Sequence, residues 1–120
     1  MIVHICDAFT WDEAKRAGEY RPPSLDAEGF IHSSLPEQVL GVANRFYAGQ
    51  KDLLLLWIDP QRLRASIHYE PADGELFPHI YGPLNLDAVQ IALAFPADAD
   101  GVFRRMPPAG PQLAKQNSLS

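Results

Sequence analysis

The sequence predicts one α+β domain, because of the order in which its helical and strand patterns follow one another. The patterns run β-α-β-α-β-β-β-β, and strands that do not alternate steadily with helices favour α+β over a doubly wound parallel sheet. The chain has 120 residues, of which 47% are hydrophobic and 21% charged. This length and composition are typical of one globular core. We therefore predict a small mixed or split sheet of about six strands with two main helices.

The first predicted helix lies between two short strands. Residues 1–7 form an apolar run that predicts a buried strand. Thr10 and Glu13 form a capping box, so the first helix is expected to start at Thr10 and to end at Gly18. Residues 19–28 contain adjacent prolines and a polar mixture, which predicts an ordered loop.

The second helix has the clearest pattern in the chain. It follows a short strand predicted over residues 29–34, and Ser34 and Glu37 form a capping box with Ser34 as the N-cap. The apolar residues behind it repeat at helical spacing and predict one buried stripe. That stripe consists of Leu35, Val39, Val42, Ala43 and Phe46.

Four strands are predicted in the second half. Residues 53–58 are continuously apolar and predict a strand buried on both faces. Residues 66–70 and 77–81 predict two further strands, and Pro78 suggests that the second of these lies at an edge or in a rigid loop. The last strand covers residues 88–95. Its apolar side chains are expected to share one face: Val89, Ile91, Leu93 and Phe95.

The pattern of apolar residues stops near residue 96. We therefore predict a folded domain over residues 1–96. Residues 97–120, which end in a polar stretch, are predicted to be a flexible tail.

The charge and the single cysteine exclude several classes of protein. Ten basic against fifteen acidic residues give a net charge of −5, which argues against duplex nucleic-acid binding. Cys6 is the only cysteine, so neither an intrachain disulfide nor a cysteine-rich zinc site is expected. The N-terminus lacks a secretory signal pattern and no apolar run is long enough to span a bilayer. We therefore predict a cytoplasmic protein without a membrane partner.

Histidines are the most informative polar residues. His4 and His32 lie within predicted interior strands, where an imidazole must have hydrogen-bond partners. Two interpretations stay open: the rings line one pocket, or each is a core histidine satisfied by a carbonyl or a carboxylate. His68 and His79 match no compact metal-ligand spacing with the others, and we predict no metal. A metal-dependent hydrolase that uses the histidines is kept as an alternative.

Ser33 and Ser34 lie where a ligand or a helix cap would be placed. Ser34 is explained by capping alone, yet a helix N-terminus next to His32 can also hold a phosphate or a ribose hydroxyl. Tyr20 and Ser24 lie in the predicted loop that leads to His32 and can cover a ligand.

Further candidates lie on charged and aromatic positions. Residues 77–83 contain a rigid, proline-bracketed segment, in which His79 and Tyr81 are candidate site residues. Glu70 ends a predicted strand and is a candidate acid or base. Arg45, together with Arg21, is a candidate phosphate ligand.

One further pair is suggested by strand periodicity. Cys6 and His4 are predicted to share a strand face, which permits a cysteine–histidine pair. The alternative is that Cys6 is a small buried residue.

Two sequence motifs resemble those of a small bacterial family of unknown function, and the resemblance covers residues 1 to about 95. They are Glu-Gly-Phe-Ile-His-Ser-Ser at 28–34 and Phe-Pro-His-Ile-Tyr-Gly-Pro-Leu at 77–84. The resemblance groups the chain with ADP-ribosyltransferase-like proteins, near the RNA 2′-phosphotransferases. It implies a split α+β sheet around an NAD-binding cleft.

The resemblance also implies roles for individual residues. His4 is similar to a residue that contacts the nicotinamide ribose, and His32 with Ser33 or Ser34 is similar to the group that borders the nicotinamide. Either Glu70 or His79 stands at the third catalytic position. The implied activity is ADP-ribosyl or phosphoryl-type transfer with NAD as substrate.

A non-catalytic module is the main alternative function. In that case the same pocket binds a nucleotide or another small ligand and performs no chemistry. The expected partner in both cases is a small-molecule nucleotide, and the oligomeric state is not predicted.

Overall fold

A computed structural model describes residues 1–107 and confirms the α+β class. Within that range the strands are β1 (Ile2–Asp7), β2 (Glu19–Tyr20), β3 (Ile31–His32), β4 (Leu53–Ile58), β5 (Ser66–Ala72), β6 (Glu75–Tyr81), β7 (Leu84–Asn85) and β8 (Val89–Ala94). The helices are α1 (Ala8–Ala17), α2 (Pro23–Glu28) and α3 (Val39–Phe46). Short 3-10 turns occur at Pro36–Gln38, Pro60–Arg62 and Leu86–Ala88. No helix in this part of the chain is long and apolar enough to cross a membrane.

The described strands form three antiparallel sheets. The first sheet has the order β1-β4-β8, the second has the order β3-β6-β5, and β2 pairs with β7. A backbone bridge between Val3 and Ser34 connects the first sheet to the chain that follows β3. This bridge places the start of the second sheet directly beside β1.

The first sheet is buried on both faces, as the apolar run of β4 predicted. Leu56 packs in one hydrophobic cluster together with Trp11 of α1. Leu55, which points to the opposite face, packs in a second cluster together with Val39 of α3. The two main helices, α1 and α3, therefore cover opposite faces of this sheet.

The first helix begins earlier than its capping box predicted. Asp7 is the N-cap, and its carboxylate accepts hydrogen bonds from the Thr10 amide and the Thr10 hydroxyl, both at 2.7 Å. Helix α1 consequently starts at Ala8, directly after β1. The predicted end is confirmed, since Gly18 closes the helix with φ +88°, a left-handed conformation that glycine adopts readily.

The prediction of a loop over residues 19–28 was wrong, because this range contains β2 and α2. Pro22 occupies the N-cap of α2 and Pro23 its first turn, where a missing amide hydrogen costs no helical bond. Strand β2 pairs with β7, more than sixty residues away, at Glu19↔Asn85 and Tyr20↔Leu84. A two-residue strand whose partner lies so far along the chain has no local sequence pattern from which it could be predicted.

Strand β6 lies in the middle of its sheet and not at an edge. The Pro78 carbonyl accepts a hydrogen bond from the Ser33 amide at 3.2 Å. In a strand the nitrogen and carbonyl of one residue point to the same side, so the Pro78 nitrogen also faces Ser33 and not β5. The pairing of β3 with β6 ends at His32↔His79, so no strand hydrogen bond from the Pro78 nitrogen is needed on that side.

A bulge changes the predicted facing of β8. The register shifts between Trp57↔Ile91 and Ile58↔Val89, so Gln90 is an extra residue on β8. Val89 therefore packs against the α1 cluster, and Ile91 and Leu93 against the α3 cluster.

The packed region extends beyond the predicted boundary at residue 96. Phe103 is 2% exposed, and its ring centroid lies 5.0 Å from that of Phe95. The Asn44 side chain holds the Phe103 backbone, accepting from its amide at 2.7 Å and donating to its carbonyl at 2.8 Å. The chain therefore packs on the domain as far as Phe103, while residues 108–120 of the predicted tail lie outside the described residues.

Candidate functional site

Two neighbouring pockets that share two lining residues are together called the cleft here. The large pocket has a volume of about 470 Å³ and lies between α3 and the second sheet. The small pocket has a volume of about 210 Å³ and lies between β1, α1 and the start of α2. His32 and Tyr47 line both pockets. Ligand sites are commonly concave and mostly apolar with a few placed polar groups, which is the composition of this cleft.

The walls of the large pocket are mainly aromatic. Phe30 and Phe77 come from the second sheet and its approach, and Val42, Phe46 and Tyr47 come from α3 and its end. Phe46 is 62% exposed, so its predicted place on the buried stripe of α3 was wrong. It lies instead at the mouth of the large pocket.

A row of histidines crosses the second sheet. The register pairs His79 with His32 on β3 and with His68 on β5, and directly paired residues point to the same face. The ring centroids of His32 and His79 are 5.5 Å apart. His32 and His79 line the large pocket, whereas His68 lies outside it, near Tyr81 and hydrogen-bonded to Ser66 at 3.4 Å.

His79 is held by a carboxylate and an aromatic ring. Its Nδ1–H donates to Glu70 Oε1 at 2.7 Å, and the Tyr81 hydroxyl donates to the same oxygen at 2.5 Å. The hydrogen bond from Tyr81, followed by the one from His79, makes the largest contribution to lowering the pKa of Glu70. The ring of Phe30 stacks on the His79 ring with centroids 4.1 Å apart.

His32 forms a second carboxylate–imidazole pair. Its Nε2–H donates to Glu28 Oε2, at the end of α2, at 2.6 Å. The His32 side chain is 54% exposed, so the prediction of an interior position was wrong. Strand β3 is only two residues long, and the ring leans out over the cleft.

His4 is buried and fully hydrogen-bonded. Its Nδ1–H donates to the His32 carbonyl, which can only accept, so Nε2 carries the lone pair and accepts from the Tyr20 hydroxyl at 2.6 Å. Burial lowers the pKa of His4 to about 4, and the ring is neutral at pH 7. His4 therefore ties β1 and Tyr20 to the backbone of His32 and keeps no nitrogen for a ligand.

Cys6 is not the partner of His4. Both nitrogens of His4 are occupied by other groups, and burial raises the pKa of the Cys6 thiol to about 12. The thiol is therefore protonated at neutral pH, as expected for a small buried residue.

The two serines differ in what their hydroxyls do. The Ser33 hydroxyl donates to the Pro78 carbonyl at 2.5 Å, which fixes it structurally. Ser34 is 5% exposed and lines the large pocket, and its hydroxyl has no hydrogen-bond partner within residues 1–107. The predicted N-cap role of Ser34 was wrong, because Gln38 Oε1 reaches back to accept from the Leu35 amide at 2.9 Å.

Of the remaining predicted residues, Ser24 lines the cleft, whereas Arg45 and Arg21 lie outside its lining. Ser24 lines the small pocket together with Tyr20. Arg45 forms an ion pair with Asp73, a residue of the large pocket, at 2.9 Å. Arg21 lies beside Tyr20 and is held loosely by Glu19 at 3.6 Å and by Asp26 at 3.7 Å.

Sequence reasoning missed four residues that shape the cleft. Glu28 stands four positions before His32, and Phe30 stands between them, within the string that carries the resemblance. Tyr47 and Phe46 end α3, where the helical pattern alone predicts either burial or solvent exposure. Only the carboxylate–histidine spacing offered a usable signal.

The described residues do not bring together a metal-ligand set. Within residues 1–107 there is no group of three histidine, cysteine or acidic side chains placed to hold an ion. The metal-dependent alternative therefore gains no support from the geometry.

Proteins of the same architecture are known. The chain is similar to the crystal structure of protein CC0527 from Caulobacter crescentus, with a TM-score of 0.78 and 35% identity over 94% of this chain and 97% of that one. The solution NMR structure of CC0527 matches with a TM-score of 0.69 and 34% identity over 95% and 97% of the two chains. No curated protein matches.

The family follows from the sequence itself. A family described as "Protein of unknown function (DUF952)" matches residues 5–92, and the chain belongs to this family. The matched region contains β1 to β8 almost completely, and with them most of the cleft.

Proposed function

We propose that the cleft binds NAD or an ADP-ribose-like nucleotide and that the protein transfers a group from it. The observation that carries this proposal is that His32 lines both an aromatic pocket and a smaller pocket that is more polar. A nucleotide likewise joins a flat ring to a polar sugar and diphosphate. The resemblance to ADP-ribosyltransferase-like proteins supports the same assignment.

The large pocket suits the ring of the nucleotide. Its volume of about 470 Å³ lies within the range usual for small-molecule sites, and Phe30, Phe46 and Phe77 offer flat apolar contact. The Ser34 hydroxyl supplies one hydrogen bond inside this wall. A carboxamide or a ring nitrogen is the matching group on the ligand.

The small pocket and its rim suit the sugar and the phosphates. Ser24 and Tyr20 line this pocket, and His32 stands at its junction with the large one. Arg45 can meet a phosphate, because an exposed ion pair such as that with Asp73 contributes little and is readily exchanged. Arg21, with its loose carboxylate contacts, is the second cation available.

The chemistry we propose is loss of nicotinamide from the ribose. As that bond breaks, positive charge develops on the sugar, and a nearby carboxylate stabilises it. Glu28 and Glu70 each lie one imidazole away from the cleft, at His32 and His79. Hydrogen bonds from the cleft residues orient the ribose for the reaction.

A non-catalytic binding module is the second candidate, favoured by the state of His4. The resemblance implies that His4 contacts the ribose, but both of its nitrogens are used within the protein. A cleft that positions a nucleotide without reacting is compatible with this hydrogen-bonding pattern.

Calorimetric titration tests the binding proposal. We expect NAD and ADP-ribose to bind the full chain, and His32→Ala to weaken binding by about tenfold or more, about 1.4 kcal/mol, because this ring borders both pockets. His32 is half-exposed and its carbonyl remains for His4, so the fold is preserved. His68→Ala, outside the cleft in the same histidine row, is the control and should bind normally. Absence of heat at millimolar ligand would remove the nucleotide proposal.

A further inference from the structure

The Glu70–His79 pair has a property that binding alone does not require. Because Nδ1–H of His79 donates to Glu70, the lone pair of the neutral ring lies on Nε2. His79 Nε2 has no hydrogen-bond partner among the described residues. It is not fully buried, because the only fully buried side-chain nitrogen or oxygen without a partner among those residues is Trp57 Nε1. Nε2 is therefore accessible, and His79 lines the large pocket.

The pair is rigid as well as open. Glu70 Oε1 receives two hydrogen bonds, from His79 at 2.7 Å and from Tyr81 at 2.5 Å, which fix the carboxylate. Phe30 stacks on the ring at an interplanar angle of 16°, which fixes its plane. His79 is 8% exposed, so its environment is largely shielded from water. An imidazole oriented by a carboxylate on one nitrogen, with the other nitrogen free, is the arrangement of a general base.

We propose that His79 is the general base that activates the acceptor of the transferred sugar, with Glu70 as its positioning residue. This inference rests on the proposed function. The acceptor is an oxygen nucleophile, and water is the simplest one. The large pocket then serves both the leaving ring and the entering hydroxyl.

The oxygen of water forms a bond to the anomeric carbon of the nicotinamide ribose while the bond from that carbon to the pyridinium nitrogen breaks. The electron pair of the broken bond stays on the ring nitrogen, which becomes neutral nicotinamide. The proton of water passes to Nε2 of His79, and the resulting imidazolium is stabilised by Glu70 until it returns the proton to solvent.

Other ionisable groups face His79 from the strands packed against it. Glu70 and His68 approach from β5, Tyr81 lies on the same strand, and His32 approaches from β3 at a ring distance of 5.5 Å. His68 is the useful control among them, since it lies in the same row but outside the cleft.

The test measures nicotinamide released from NAD by the full chain as a function of pH. We expect the wild-type rate to rise with pH, because a general base acts only in its unprotonated form. His79→Gln should lower the rate by about 100-fold or more and abolish this rise. Glu70→Gln should reduce the rate and displace the profile, and His68→Gln should change neither. ADP-ribose affinity, measured in parallel, should stay close to wild type in His79→Gln, which also shows that the variant is folded.

Failure of this inference is distinguishable from failure of the proposed function. If the wild type binds neither NAD nor ADP-ribose, the proposed function is overturned and the base assignment with it. If ADP-ribose binds but no nicotinamide is released, nucleotide binding stands, and both the proposed transfer chemistry and the base assignment are overturned. If His79→Gln releases nicotinamide at a rate and with a pH profile close to wild type, only the base assignment is overturned.

Discussion

Acidification from pH 7 to about pH 4 is expected to destabilise the fold by about 3 kcal/mol through His4 alone. The buried ring is neutral in the folded protein, with a pKa lowered from 6.5 to about 4 by burial. In the unfolded chain the ring takes up a proton near pH 6.5, so protons favour unfolding. The contribution of neutral His4 to the free energy of unfolding is therefore fully present above pH 6.5. It is lost as the pH falls from 6.5 through the folded pKa of about 4.

Urea unfolding at a series of pH values checks this expectation. The free energy of unfolding of His4→Gln should fall less steeply than that of the wild type between about pH 6.5 and pH 4. Carboxylates with a lowered pKa, such as Asp7 and Glu70, have ordinary values of 3.8 and 4.5 and act mainly below this window. Parallel profiles for the two proteins would contradict the assignment of a neutral, doubly bonded His4.

Replacement of Phe103 by alanine is expected to cost about 3 to 5 kcal/mol of stability, the range typical of large aromatic side chains in cores. The ring is 2% exposed and packs on Phe95 in the cluster that also contains Val39 of α3. Its removal leaves a cavity beneath the helix that forms one wall of the large pocket. The C-terminal segment thus supports the cleft from behind.

Chemical denaturation of Phe103→Ala measures this cost. Phe9→Ala is the matched control, because Phe9 is 70% exposed and its loss should change stability by less than about 0.5 kcal/mol. A cost for Phe103→Ala below about 1 kcal/mol would show that the segment after residue 96 is not part of the core.

Local patterns predicted the elements whose burial is regular. The apolar run 53–58 predicted β4 because both faces of that strand are covered, and the spacing of Val39 and Ala43 predicted α3. Elements that depend on distant partners were missed. Strand β2 exists because Tyr20 meets Leu84, and Asp7 replaced Thr10 as N-cap because β1 runs directly into α1.

The site was predictable in part from residue types and strand register. Had the turn at Asp73 and Gly74 been used to set the hairpin register, it would have placed His68 opposite His79, with Glu70 one diagonal position away. The pairing of His32 with Glu28 depends on the short helix α2, which the two prolines concealed. The burial of His4 followed from its strand, but its choice of partners did not.

NMR mapping with NAD tests whether the cleft at His32 is a nucleotide site. The protein is 13.3 kDa, a size suited to assigned amide spectra. We predict that NAD shifts amides mainly in residues 30–34, 42–47 and 72–79, which contain the lining of the large pocket, and at Tyr20 and Ser24 of the small one. Saturable shifts confined to other surfaces, or none at millimolar NAD, would contradict the assignment.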